Sequence, residues 1–106
     1  FDRELDVRLN VSPLEVASGE DIDHGKNKFH NDHVVPLFRY HKGNDVLDEY
    51  ENKCYCLVMA KGTKSLHHII DSERIAGQDV SKIKCYGEDM AKAIKHIHDK
   101  DYIHGD

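Results

Sequence analysis

Apolar residues recur along this chain at three different spacings, and each spacing predicts an element. Phe1, Leu5 and Leu9 stand at i, i+4 and i+8, which puts them on one face of a helix over residues 1–11. Glu4 and Arg8 form an i, i+4 charge pair on the same stretch. Ser12-Pro13 closes that helix, because proline disfavours helical geometry at the residue before it. No capping residue precedes Phe1, so the helix reads as already under way where the sequence starts. Residues 13–32 include "SGEDIDHGKNKFHND", polar and rich in turn formers, and predict a mobile loop or insertion.

Two short segments then change to a β pattern. His33–His41, "HVVPLFRYH", is β-branched and aromatic and predicts a strand, with Pro36 implying an edge position or a bulge. "KGNDVLDEYENK", residues 42–53, is a connecting loop with a Gly-Asn-Asp turn signal. Cys54–Met59, "CYCLVM", is the most apolar stretch and predicts a buried strand paired antiparallel with the first. "AKGTKSL" follows as a hinge, then a short helix over 65–71. The clearest helical pattern runs over 81–99, where Ile83, Tyr86, Met90, Ile94 and Ile97 recur at steps of three or four. Asp79 or Ser81 can cap it, "DKD" closes it, and Tyr102-Ile103 starts a short extended step.

Composition narrows the classes. A chain of 106 residues is at most one domain, or part of one. With 39% apolar and 33% charged residues and a net charge of −5, no basic face offers itself to nucleic acid or an anionic membrane. No window approaches the roughly 18 apolar residues that span a bilayer, and "FDRELDVRLN" lacks the apolar core of a secretory signal. The three cysteines, Cys54, Cys56 and Cys85, lack a framework spacing, which predicts reduced thiols and an intracellular setting, cytoplasmic ahead of nuclear. Cys54 and Cys56 point to one face of their strand and read as small buried or half-buried thiols, with a metal pair as the alternative. His24, His30 and His33 sit in one polar segment with no cysteine pair to complete a zinc set. His96 and His98 diverge by about 200° around a helix and cannot share a metal. All five read as solvated or capping histidines.

The order helix, strand, strand, hinge, short helix, long helix and then a hydrophobic-His-x-Asp step resembles the middle of a eukaryotic-type protein kinase domain. The strongest likeness lies in "AIKHIHDKDYIHGD", which is similar to the family's helix E running into its catalytic loop, most often H-R-D. "CYCLVMAKGTKSL" resembles the fifth strand, gatekeeper and hinge, and "FDREL" with "HVVPL" resembles helix C and the fourth strand. The resemblance covers the chain apart from residues 13–32, which exceed the usual connection. The His-Gly-Asp triplet looks most like serine/threonine kinases that carry Gly in place of Arg. The fold it implies is α+β: part of the N-lobe antiparallel sheet with helix C over 1–59, a hinge over 60–64, and helices D and E of the C-lobe over 65–106.

That resemblance also implies roles. Phosphoryl transfer needs a positioned hydroxyl and neutralised phosphate charge more than covalent help. Asp106 would be the catalytic base that accepts the hydroxyl proton of a protein substrate, and His104 would orient the loop. Gly105 stands where an arginine normally pairs with a phosphorylated activation loop, so that charge switch is not expected here. Glu4 would pair with the ATP-anchoring lysine, which this chain does not contain. Met59 would be the gatekeeper, or Val58 if the alignment slips by one, with Ala60 and Lys61 presenting backbone groups to the adenine edge. The cofactors implied are ATP and Mg²⁺, whose ligands would lie outside the chain. The glycine-rich loop, the V-A-I-K lysine, D-F-G and A-P-E are not in the sequence, so these 106 residues alone are expected to be an inactive part of a longer kinase. They are also expected to expose the apolar stripe of the last helix as a sticky patch. A pseudokinase or scaffold, and an aminoglycoside- or choline-type small-molecule kinase, are the alternative classes.

Overall fold

A computed structural model of the chain describes residues 1–43, 52 and 54–106. The chain is mixed α and β, and among the described residues it holds three α-helices and one two-stranded antiparallel sheet. It divides into two compact units, Phe1–Ala60 and Lys61–Asp106.

In the first unit, helix α1 spans Asp2–Arg8. It stops earlier than the expected Val11 because Leu9 turns extended and bridges Asn27. Around that bridge the Asn10 N–H donates to the Lys26 carbonyl at 2.8 Å and the Lys28 N–H to the Arg8 carbonyl at 2.7 Å. Of the expected apolar face, Leu5 and Leu9 are both buried, while Phe1 is exposed and precedes the helix and Leu9 lies just past it.

Residues 13–32 hold no α-helix or strand, as the loop reading expects, yet they reach the interior. They contain two 3₁₀ turns, Pro13–Glu15 and His24–Lys26, and they supply Val16, Ile22 and Phe29 to the interior. Polar composition concealed this, because three apolar residues at irregular spacing carry no period that a strand or helix pattern would reveal.

Strand β1 is Leu37–His41 and strand β2 is Cys56–Met59, paired antiparallel as expected. Their register couples Leu37 with Met59, Arg39 with Val58, Tyr40 with Leu57 and His41 with Cys56, with an irregular step between Leu37 and Arg39. That step explains an otherwise odd burial pattern. Leu37 and Tyr40 are three residues apart, which a period of two would put on opposite faces, yet both are buried. The bulge at Phe38 absorbs the extra residue. It lies two residues past Pro36, which has no N–H to give to a ladder. The loop expected over 42–53 lies mostly outside the described residues.

Segment 18–22 borders β1. The Gly19 N–H donates to the Tyr40 carbonyl at 2.8 Å and the Ile22 N–H to the Phe38 carbonyl at 2.7 Å. Gly19 has a φ of +85°, the left-handed region that glycine enters without a Cβ penalty. The Tyr40 hydroxyl, buried, donates to the Val16 carbonyl. The core is therefore Leu5, Leu9, Val16, Ile22, Leu37 and Tyr40, with Val11 and Leu57 packed against it. Strand β2 is not the buried strand its composition predicts: Cys56 and Leu57 are half-buried, Val58 and Met59 exposed. Cys54 precedes the strand. Cys54 and Cys56 are partly buried free thiols and Cys85 is an exposed one.

In the second unit, helix α2 spans Leu66–Glu73, capped by Ser65, whose hydroxyl accepts from the His68 N–H at 3.1 Å. Arg74 ends it in the left-handed region and Ile75 is buried beyond it. Helix α3 spans Val80–His98; of the two expected caps it uses Asp79, whose carboxylate accepts from the Lys82 N–H at 3.0 Å. Glu73 draws on Lys82 at 3.1 Å and Lys64 at 3.6 Å, which ties the end of α2 to the first turn of α3. Among the described residues, no helix is long and apolar enough to cross a membrane.

Candidate functional site

The terminal segment is built by the way α3 stops. The Asp99 N–H bonds back to the Lys95 carbonyl at 2.8 Å, and Asp101 takes a φ of +62°. The Tyr102 N–H then reaches the Ile97 carbonyl at 3.2 Å, a wrap that satisfies a carbonyl the helix end would leave open. Asp is one of the few residues that adopts the left-handed conformation without large penalty. From Tyr102 the chain runs without regular structure to Asp106. Gly105 has a φ of +71°, and this turns the Asp106 N–H back to His104 Nδ1 at 3.3 Å. A side chain at position 105 would meet no steric obstacle but would hold a strained backbone. One local turn thus brings the Asp106 main-chain N–H to the His104 ring, and both residues are exposed.

The other residues singled out from the sequence lie along the first unit and at the start of the second. Glu4 is on α1, its side chain half exposed, and it accepts from Arg8 Nε at 2.5 Å. Arg8 also donates to the Val35 carbonyl at 3.0 Å, so the pair anchors the approach to β1. Met59 closes β2 opposite Leu37, and the Ala60 N–H continues the pairing to the Pro36 carbonyl at 3.4 Å. Val58, the alternative gatekeeper, is exposed one residue earlier. Lys61 is exposed and opens the second unit.

The histidines of segment 13–32 are engaged locally. His24 Nδ1 shares a hydrogen bond with the Asn31 amide at 3.0 Å, and His30 Nδ1 accepts from the Asp32 N–H at 3.2 Å. Among the described residues, no three His, Cys, Asp or Glu side chains gather as a metal site. The charge perturbations fall on surface pairs. Hydrogen bonding to Lys42 lowers the Asp2 carboxyl and raises Lys42 in turn. Hydrogen bonding to Lys82 lowers Glu73, and bonding to Lys95 lowers Asp99.

Two features were invisible from spacing. One is a groove of about 310 Å³ in the second unit, lined by Leu66, Ile70, Ile75, Ala76, Ile83, Tyr86, Gly87 and Met90. None of the residues named above as site residues lines it. The expected apolar stripe of α3 contributes to it and stays open, with Ile83, Met90 and Ile94 each more than 40% exposed. The other is Asn27, whose side chain bonds both main-chain groups of Leu37. No family model, no curated protein and no solved structure matches this chain.

Proposed function

We propose that these residues form part of an ATP-dependent serine/threonine protein kinase, with Asp106 as the base that takes the proton of a protein-substrate hydroxyl. The observation that carries the reading is the run from α3 into "YIHGD". A capped 19-residue helix ends in a tight wrap, and eight residues past its last residue an exposed carboxylate follows a His-Gly turn. An exposed carboxylate held on a short turn suits general-base work, because it can accept a proton and reach a bulky substrate. Support also comes from the order α1, β1, β2, α2, α3 and from the division into units at Ala60–Lys61, inside the segment read as a hinge. In this reading Met59, Ala60 and Lys61 border the adenine, Glu4 holds the lysine that anchors ATP, and the Mg²⁺ ligands come from outside these 106 residues. ATP bound there supplies the phosphoryl group, and the residues of this chain orient it and the acceptor hydroxyl.

The first test is the reading frame beyond codon 106. A leucine, a lysine-proline step and an asparagine within the next five codons, then an acidic magnesium motif, are expected; an unrelated continuation refutes the proposal. In the protein translated from that frame, Asp106→Asn should lower kcat at least about 100-fold, the lower range for a positioned general base, with the KM for ATP unchanged. Equal loss in kcat and ATP binding would point to misfolding instead.

A further inference from the structure

We infer that Asn27 is a positioning residue for the nucleotide side of the proposed kinase, an inference that rests on that reading. Its amide acts as a surrogate strand. Oδ1 accepts from the Leu37 N–H at 2.9 Å and Nδ2 donates to the Leu37 carbonyl at 3.1 Å, so one side chain satisfies both main-chain groups of a fully buried residue. The backbone of Asn27 faces the other way. It bridges Leu9, and its carbonyl accepts from the Asn10 side chain at 3.1 Å. The residues on either side, Lys26 and Lys28, bond the chain on either side of Leu9.

Two structural members therefore meet at this residue. Toward the N-terminus, Leu9 closes the helix that carries Glu4. Toward the sheet, Leu37 is the register partner of Met59, and the adjoining Pro36 carbonyl accepts from the Ala60 N–H. The groups that the kinase reading assigns to the lysine partner and to the adenine edge thus meet at Asn27, through its side chain on Leu37 and its backbone beside Leu9, in addition to the Arg8 bond to the Val35 carbonyl. This gives segment 13–32 a function beyond connection: it returns to the end of α1 and locks that end to β1. A paired, partly buried amide suits the task, because its donor and acceptor match a peptide group and any rotation breaks both bonds at once.

The test uses Asn27→Leu in the protein translated from the complete reading frame, with Ile22→Val as a control for core packing alone. Asn27→Leu should raise the KM for ATP about tenfold, the scale of one or two lost hydrogen bonds. The KM for the protein substrate should not move, and Ile22→Val should change neither. Asn27→Asp keeps the acceptor for the Leu37 N–H but sets a carboxylate oxygen against the Leu37 carbonyl, so it should raise the KM for ATP at least as much as Asn27→Leu. Amide hydrogen exchange at Asn10, Lys28 and Leu37 should quicken in Asn27→Leu and not in the control. Quickened exchange with an unchanged KM for ATP overturns the positioning role; unchanged exchange overturns the clamp itself. If the unmodified protein binds no ATP, the kinase reading falls and the positioning role with it. The exchange measurement then still decides whether the clamp exists.

Discussion

Replacing Ile22 by Ala asks whether segment 13–32 is a surface loop or a part of the core. Ile22 is 6% exposed and packs with Leu5, Leu37 and Tyr40 in the same cluster. Truncating it removes three carbons from the interior and leaves space that only partly closes. Such changes cost about 2–5 kcal/mol, the transfer term plus the cavity. A unit of this length is stabilised by only roughly 3–9 kcal/mol, taking 0.05–0.15 kcal/mol per residue, so the loss would consume a large share of it. Leu14, in the same segment, is 95% exposed. Leu14→Ala should therefore stay within about 0.5 kcal/mol of the unmodified protein. Urea-dependent hydrogen exchange at the amides of β1 reads this unit without requiring the rest of the protein to unfold with it. If Ile22→Ala and Leu14→Ala shift that exchange equally, the segment is no part of the core and the fold described for it is wrong.

Two further outcomes follow from the caps and the ion pairs. Asp79→Ala removes the acceptor of the Lys82 N–H and should destabilise the first turn of α3 by about 1 kcal/mol, seen as faster exchange at Ile83 and Lys82. Stability should fall on the acid side. Asp2, Glu73 and Asp99 are all held below the usual carboxylate range by hydrogen-bonded lysines, so their contribution is present above the unfolded pKa of about 4 and lost as pH falls through the lower folded value. A melting temperature that declines from about pH 4 downward is expected, and Glu73→Gln should shallow that decline. A melting temperature that holds steady down to pH 2 would contradict the ion-pair assignments.

Where the pattern was regular, the sequence could be read. The 3–4 spacing from Ile83 to Ile97 marked α3 to within a residue at each end, and "HVVPLFRYH" and "CYCLVM" marked the antiparallel pair but not its starts, which are Leu37 instead of His33 and Cys56 instead of Cys54. Where the structure depends on single distant contacts, it could not. Helix α1 stops at Arg8 because Leu9 bridges a residue 18 positions away, and no local propensity reports that. Val58 and Met59 look like core residues by composition, but they end a four-residue strand of a two-stranded sheet, on opposite faces, and both are exposed, so hydrophobicity alone misplaced them. The triplet at the end of the chain was legible as a motif. The left-handed Gly105 that bends Asp106 toward His104 adds a geometry the motif did not contain. Asn27 gave no signal, since an asparagine in a turn-rich segment looks like any other turn residue.

The odd step in β1 has a consequence for how the gene can change. Losing codon 38 would set Leu37 and Tyr40 two residues apart, so both would still point inward on a regular ladder. The change would cost the Phe38 carbonyl that receives the Ile22 N–H and the edge contact of the Phe38 ring with His24. Gaining a codon between Tyr40 and His41 would instead move His41 out of register with Cys56. Related genes should therefore differ in length by one residue at position 38 more readily than anywhere else in the strand pair.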